Sequence, residues 1–252
     1  MKLRLLPIIG PFIFIMIWGL ITGFDMIDHI FLPTPWATAR ALFRLLVTDH
    51  DVYGPLYNSL RRMAAGFAIG VGLGVPAGVA LGSSKTLYSS TVVLIDFLRS
   101  IPSTSFFPLF MLLMGVGDGP KIAVVVMGCF FVCAINSAFG VMHGSPSRVF
   151  VADVMGASKV FTFFRVRLPE AMPSISSGIR VSISYAIVLV VVSEMFVGTD
   201  VGLGRLIYDA HSSFKTPEMY ATIIIAGTIG YLANKLYSLV ETRIFHWSGK
   251  AS

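Results

Sequence analysis

Residues Val151 to Arg180 read VADVMGASKVFTFFRVRLPEAMPSISSGIR, a polar and basic interruption in a chain that is otherwise almost continuously apolar. Its basic residues, with one just upstream, outnumber its acidic residues Asp153 and Glu170. The basic residues are Arg148, Lys159, Arg165, Arg167 and Arg180. Cationic segments between membrane-length apolar runs are retained on the cytoplasmic side of a bilayer. The segment therefore predicts a membrane protein whose main loop is cytoplasmic.

The same segment shows the signs of short helices. The residues on either side of Gly156 are compatible with helix, and Gly156 allows a tight bend between two helices. Pro169 and Pro173 are expected to mark the end of the loop. Connections of about thirty residues with helices of their own are usually functional. We therefore expect residues 145–173 to form a docking element.

Composition gives the class of the protein. The 252 residues are 55% hydrophobic and only 13% charged, with a mean hydropathy of +0.81. Because one span takes about 20 apolar residues, this length predicts an all-α membrane protein with about six transmembrane helices. One transmembrane domain is expected to cover residues 1–252. The basic residues that give the net charge of +6 lie beside the predicted spans. This position indicates membrane topology and not nucleic-acid binding.

The apolar runs locate the predicted spans. An uncleaved first span is expected at 5–23, because no small-residue cleavage site follows it. An amphipathic helix at 36–47 is expected to lie along the membrane surface. The core spans are expected at about 59–81, 91–114, 122–141, 179–196 and 219–239. Since basic residues are richer in the inner segments, both termini are expected to be cytoplasmic.

Glycine recurs at every fourth position in the second predicted span. The residues are Gly66, Gly70, Gly74, Gly78 and Gly82. One face of that helix is therefore nearly bare backbone, which lets a neighbour approach closely. The neighbour can be a helix of the same chain or of a partner subunit.

Polar residues at membrane depth are the candidates for a solute pathway. They are Arg99, Ser103 and Thr104 in the third span, together with Pro102, which disturbs the backbone between them, and Glu194 at the end of the fifth. Ionisable residues there should face protein or water, because lipid exposure is costly. Two alternatives stay open: Arg99 can pair with Asp96 on its own helix, and Glu194 can be a packing or capping carboxylate.

Sequence motifs for catalysis are missing. The chain contains no GxxxxGK[ST] phosphate loop and no HExxH motif. Cys129 and Cys133 lie in an apolar run without accompanying ligands, so small-residue packing is the expected role. We therefore expect a protein that is not an enzyme, with no catalytic residue, metal or cofactor of its own.

The spacing of the cationic loop resembles the signature loop of ABC importer permeases. That loop runs Glu-Ala-Ala, three residues, Gly, nine residues, Ile, any residue, Leu-Pro. Here Ala152, Gly156, Leu168 and Pro169 match, Val166 takes the Ile place, and Phe-Val replaces the initial Glu-Ala. The Leu-Pro-Thr-Pro run from residue 32 and the Gly-Leu-Gly run from residue 202 resemble the taurine, sulfonate, nitrate and bicarbonate permease group.

This resemblance implies a type I ABC importer permease fold with a cytoplasmic coupling helix. The residues that would contact an ATPase subunit are Ala152, Asp153, Gly156, Ala157, Ser158, Lys159, Leu168 and Pro169. It also implies ATP and magnesium on a pair of separate ATPase subunits, a second permease copy in a homodimer, and a periplasmic or lipid-anchored solute-binding protein. The expected location is the bacterial inner membrane.

The resemblance favours a small anion as the solute, such as taurine, another sulfonate, nitrate or bicarbonate. The rival interpretation is a stand-alone carrier or channel driven by an ion gradient, with Asp96, Arg99 and Glu194 as coupling sites. Nothing in such a carrier requires the spacing between Gly156 and Pro169, so the sequence favours the importer.

Overall fold

The computed structural model describes residues 6–196 and 201–244, with side chains at 9–196 and 201–243. Every regular element in this part is helical, which confirms the all-α class. The helices are α1 Leu6–Gly23, α2 Pro35–Phe43, α3 Tyr53–Ser83, α4 Lys85–Ser100, α5 Phe107–Met114, α6 Asp118–Met142, α7 Pro146–Val154, α8 Lys159–Thr162, α9 Leu168–Glu194, α10 Leu203–Ser212 and α11 Thr216–Ile244. The two termini, predicted to be cytoplasmic, lie outside the described residues.

Four helical stretches are long and apolar enough to cross a bilayer: Tyr53–Ser83, Asp118–Met142, Lys159–Glu194 and Thr216–Arg243. A bent pair formed by α4 and α5 can supply a fifth crossing. The described apolar part of α1, Ile9–Gly23, is shorter. The predicted first span begins at residue 5, outside the described part, so the expected number of about six spans depends on α1.

The third predicted span, 91–114, is broken by a bend in the structure. Helix α4 ends at Ser100, and a 3-10 turn at Ser103–Phe106 leads into α5. The two halves are bent by 83°. The cause is local: a residue before proline avoids the α region, and Ile101 before Pro102 is extended, with ψ 123°.

The cationic loop is also shorter than predicted. Helix runs without interruption from Lys159 to Glu194, so Pro169 and Pro173 lie within it and do not end the loop. A π turn at Phe163–Arg167 precedes Pro169, and the Leu168 N–H donates to the Phe163 carbonyl. A proline ring crowds the carbonyl four residues earlier, and the wider π turn accommodates it.

The chain divides into two compact units. The first comprises Met1–Ser59 and Glu194–Thr228, and the second Leu60–Ser193 and Ile229–Ser252. In the first unit, the Trp18 indole N–H donates to the Pro33 carbonyl over 2.9 Å. Thr34 caps α2 by accepting from the Ala37 N–H at 3.1 Å, with Pro35 in the first turn. These contacts join α1 to the start of α2.

In the second unit, the glycine stripe of α3 lies against α6. A Cβ placed on Gly66 would meet Val125 Cβ at 2.6 Å, and one on Gly74 would meet the Phe130 carbonyl at 2.6 Å. Gly70 likewise lies against Cys129. Only glycine permits this approach, because part of the opposing surface is backbone that cannot move aside. The stripe therefore packs against a helix of the same chain.

Helix α6 also packs against α9. Val124, Val125 and Cys129 join Ala186, Leu189, Val190 and Phe107 in one buried cluster. Two further glycines bring these helices together: Gly178 of α9 faces Asn136, and Gly140 of α6 faces Ser174. Helix α6 is therefore held between α3 and α9 within this unit.

A pair of glycines two residues apart on α3 tests the close approach. We expect Gly74→Ala to reduce the free energy of unfolding by about 1–3 kcal/mol, because the added methyl group overpacks the contact with Phe130. Gly72→Ala is the matched control, since Gly72 is exposed with nothing within 4 Å. The measurement is thermal or denaturant unfolding of the purified protein in detergent. Equal losses for the two variants would contradict the packing account.

Candidate docking segment and solute pathway

The segment between α6 and α9 begins with α7 and a sharp bend. The Gly156 N–H donates to the Asp153 carbonyl and the Ala157 N–H to the Ala152 carbonyl, each over 3.0 Å. This pair of bonds is a Schellman motif, which requires a left-handed residue after the helix. Gly156 supplies it with φ 76°. The sequence signal at Gly156 thus corresponds to the left-handed residue that ends α7.

Helix α8 starts directly after the bend. Ser158 caps it by accepting from the Phe161 N–H at 3.3 Å. Lys159 is its first residue, and α8 continues through the π turn into α9, where Leu168 and Pro169 lie half-buried. The predicted coupling residues therefore occupy both sides of one bend, at the end of α7 and in the first turns of the long helix Lys159–Glu194.

The docking segment, defined here as Pro146–Arg167, exposes a large apolar surface. Met155 is 81% exposed, Val154 70% and Phe150 69%. A groove of about 780 Å³ runs along it. Its lining includes Arg148, Val151, Ala152, Met155, Ala157, Ser158 and Phe161. A contiguous exposed apolar patch in a polar, charged region is typical of a protein contact surface.

An ion pair fixes the segment to the membrane helix. Arg148 of α7 lies 3.2 Å from Glu170 of α9, and the Glu170 side chain is only 16% exposed. Glycine at 144 leaves room for this carboxylate, because a Cβ there would lie 3.2 Å from Glu170 Oε2. Helix α7 is therefore joined to α9 both by the chain and by this contact.

The pathway candidates of the third predicted span gather at the α4–α5 bend. Arg99 pairs with Asp96 on α4, Nε to Oδ1 at 2.8 Å, and both side chains are about half exposed. Ser103 is buried in the 3-10 turn, and Thr104 is half-buried beside it. The intrahelical pair expected as an alternative does form, and a pathway role for these residues stays a prediction.

Glu194 has the contacts of a capping carboxylate. It is fully buried, and its Oε2 accepts from the Ser59 hydroxyl at 2.6 Å and from the Gly204 N–H at 3.1 Å. The Ser59 oxygen in turn accepts from the Leu203 N–H at 2.9 Å. Two free N–H groups at the start of α10 are thereby satisfied. The contacts favour the capping alternative, and a gating role stays a prediction.

Sequence reasoning missed the partners of Glu194. Ser59 is 135 residues away, and Gly202 makes room for the carboxylate, since a Cβ there would lie 2.5 Å from Glu194 Oε2. Neither residue carries a local signal for this role. The four-residue recurrence of Ser176, Arg180 and Ser184 in α9 was available as a signal and was also missed.

No group of three or more His, Cys, Asp or Glu side chains within residues 6–196 and 201–244 could hold a metal ion. Cys129 and Cys133 are free and buried. The described part of the chain therefore contains no metal site of this kind.

The chain is similar in sequence to known transport proteins. Residues 70–246 match the family model for the inner membrane component of binding-protein-dependent transport systems. A putative aliphatic sulfonates transport permease of Bacillus subtilis is 33% identical, with 94% of this chain and 85% of that protein covered. The taurine transport permease of Escherichia coli is 26% identical, with 93% and 86% covered. The nitrate import permease of a Synechocystis strain is 25% identical, with 94% and 88% covered.

Solved structures show the same fold. An inward-facing methionine ABC transporter superposes with a TM-score of 0.62 at 20% identity, covering 82% of this chain and 96% of that one. An amino acid ABC transporter superposes with a TM-score of 0.59 at 18% identity, covering 80% and 97%. These similarities confirm the type I ABC importer permease fold. The chain belongs to the family of inner membrane components of binding-protein-dependent transport systems.

Proposed function

We propose that this protein is the membrane-spanning permease subunit of an ATP-driven ABC importer. The exposed apolar docking segment, folded at the start of the longest membrane helix, is the observation that carries the proposal. In the assembly, two copies enclose the solute path, two separate subunits bind ATP and magnesium, and a solute-binding protein delivers the solute. The docking segment faces the cytoplasm, where the ATP-binding subunits lie.

The chain's own part in the cycle is mechanical. Ala152, Asp153, Gly156, Ala157, Ser158 and Lys159 present the contact surface to the ATP-binding subunit. Closure of that subunit pair on ATP moves the docking segment. Because helix runs unbroken from Lys159 to Glu194, the displacement passes into the membrane-spanning part of α9. Movement of α9 then opens or closes access to the solute path.

The proposed solute is a small anion of the sulfonate, taurine or nitrate type. The names of the three relatives support this class. A solute-binding protein is proposed because the family is defined by dependence on such proteins. The described outer connections are short, so capture of the solute falls to that separate protein.

Reconstituted transport tests the proposal. The permease, its companion ATP-binding subunit and the companion binding protein are placed in proteoliposomes, and uptake of taurine and nitrate is measured with and without internal ATP. We expect uptake only with ATP and the binding protein. Uptake that persists without ATP and follows an imposed proton or sodium gradient would identify the rival, a gradient-driven carrier.

Substitutions at two glycines with positive φ test the docking bend. Gly156 and Gly115 both have φ 76° and open space around them. A β-branched residue in the left-handed conformation of Gly156 costs about 1–2 kcal/mol, whereas asparagine tolerates it better. Gly115 has ψ −173°, a conformation that is essentially confined to glycine. We expect Gly156→Val to abolish transport-coupled ATPase activity and Gly156→Asn to retain part of it. Gly115→Val, in the turn after α5, should destabilise the protein yet keep coupling, and equal loss at both sites would contradict the assignment.

The capping role of Glu194 is tested by stability. We expect Glu194→Ala to lower the free energy of unfolding by about 1–3 kcal/mol, because the Ser59 hydroxyl and the Gly204 N–H lose their acceptor. Ser59→Ala should cost a similar amount, and the double variant should cost less than the sum. Ser212→Ala, an exposed serine on α10, is the control. Loss of uptake by Glu194→Ala with unchanged thermal stability would instead assign Glu194 to the pathway.

A further inference from the structure

A polar seam joins α9 and α11 within the second compact unit. We define it as Ser176, Arg180 and Ser184 of α9 with Asn234, Tyr237, Ser238 and Glu241 of α11. Ser176 contacts Tyr237 Oη at 2.9 Å and donates to Glu241 Oε1 over 2.8 Å. Arg180 donates to Glu241 and to Ser238. The Asn234 amide donates to the Ser184 hydroxyl over 2.8 Å.

Burial differs along the seam. Ser176 is 1% exposed, but the Arg180 side chain is 46% exposed and that of Glu241 is 20% exposed. Ser184 is also exposed. One edge of the seam is therefore open, and Arg180 lies on it, in the middle of α9. A guanidinium in a membrane-spanning helix is costly when it faces lipid, so this edge faces water or protein.

The open edge is rich in hydrogen-bond donors. A guanidinium has five N–H donors in a planar fork that matches oxyanions. Here Glu241 takes part of the fork, and half of the side chain stays accessible. The Ser184 hydroxyl, which accepts from Asn234, keeps its own proton to donate. A planar or tetrahedral oxyanion is the ligand class that this arrangement fits.

Glu241 gives the site a built-in competitor. An incoming anion must displace this carboxylate from Arg180, which weakens net binding. Weak binding suits a conduction site, because a solute must be able to leave as well as enter. Without the competitor, a guanidinium would hold an oxyanion more tightly and slow its release.

We propose that Arg180 is a solute-contacting residue that binds the transported oxyanion on its way through the membrane, with Glu241 as the exchangeable counter-ion. The proposal rests on the proposed import function and names the group that would recognise the anion. A structural alternative exists, in which the pair only fastens α9 to α11.

Transport kinetics of the complete complex in proteoliposomes separate these roles, with taurine and nitrate as the probes. We expect Arg180→Gln to raise the KM for uptake about tenfold or more, and Glu241→Gln to lower the KM and also the maximal rate. Lys235→Gln is the matched control: Lys235 is an exposed cation of α11 that lies over the Tyr231 ring, outside the seam. It should leave the KM unchanged.

The charge-swapped variant Arg180→Glu with Glu241→Arg gives the second readout. It restores an ion pair between the helices, so thermal stability should return towards that of the unmodified protein. Uptake should not return, because the cation no longer lies on α9. Recovery of uptake together with stability would overturn the proposal in favour of fastening.

Three other outcomes would also overturn it. They are a KM for Arg180→Gln equal to that of Lys235→Gln, shifts of the KM in the same direction for Arg180→Gln and Glu241→Gln, and loss of subunit co-purification in Arg180→Gln, which would mark an interface. In all three the unmodified complex still takes up the anions with ATP. Failure of the unmodified complex to do so would instead contradict the proposed function.

Discussion

The close approach of α3 to α6 is the constraint on which the second unit depends. Lipid is as apolar as leucine, so helices in a bilayer gain little from hydrophobic burial and associate through tight packing. Glycine at every fourth position of α3 brings its backbone against α6, with Gly74 facing the Phe130 carbonyl at a distance that no Cβ would allow. The position of α6 then determines where α9 packs.

Helix α9 connects this packed unit to the surface that we assign to docking. It is held to α6 by the Gly178–Asn136 approach near its middle and by the buried cluster around Val190 near its end. Its first turns continue without a break from α8, directly after the Gly156 bend. A segment with an exposed apolar surface is thus attached to a rigid helix, which is the arrangement that mechanical coupling needs. The polar seam with α11 lies on the same helix.

Much of this architecture was predictable because its signals are local. The glycine period, the left-handed position at Gly156 and the apolar runs each depend on neighbouring residues alone. The break at Ile101–Pro102 also had a local signal, but the length of the apolar run favoured one span. Pro169 and Pro173 predicted a break that the structure does not have, because the π turn at Phe163–Arg167 lets the helix continue past them.

The rest depended on contacts between distant parts of the chain. Ser59 and Glu194 are 135 residues apart, and nothing near either residue indicates that they share the α10 terminus. The exposed edge of the seam likewise depends on which face of α9 the helix α11 covers. A single sequence gives the periodicity of a helix, but it does not give the identity of the helix that packs on each face.

Direct contact between the docking segment and an ATP-binding subunit is the central claim. A photoreactive amino acid in place of Met155, which is 81% exposed, measures it in the assembled complex, with the same group in place of Val116 in the turn after α5 as the control. The account predicts a covalent adduct with the ATP-binding subunit from position 155 and none from position 116. No adduct from position 155, or labelling of that position by an impermeant reagent from outside the cell, would contradict it.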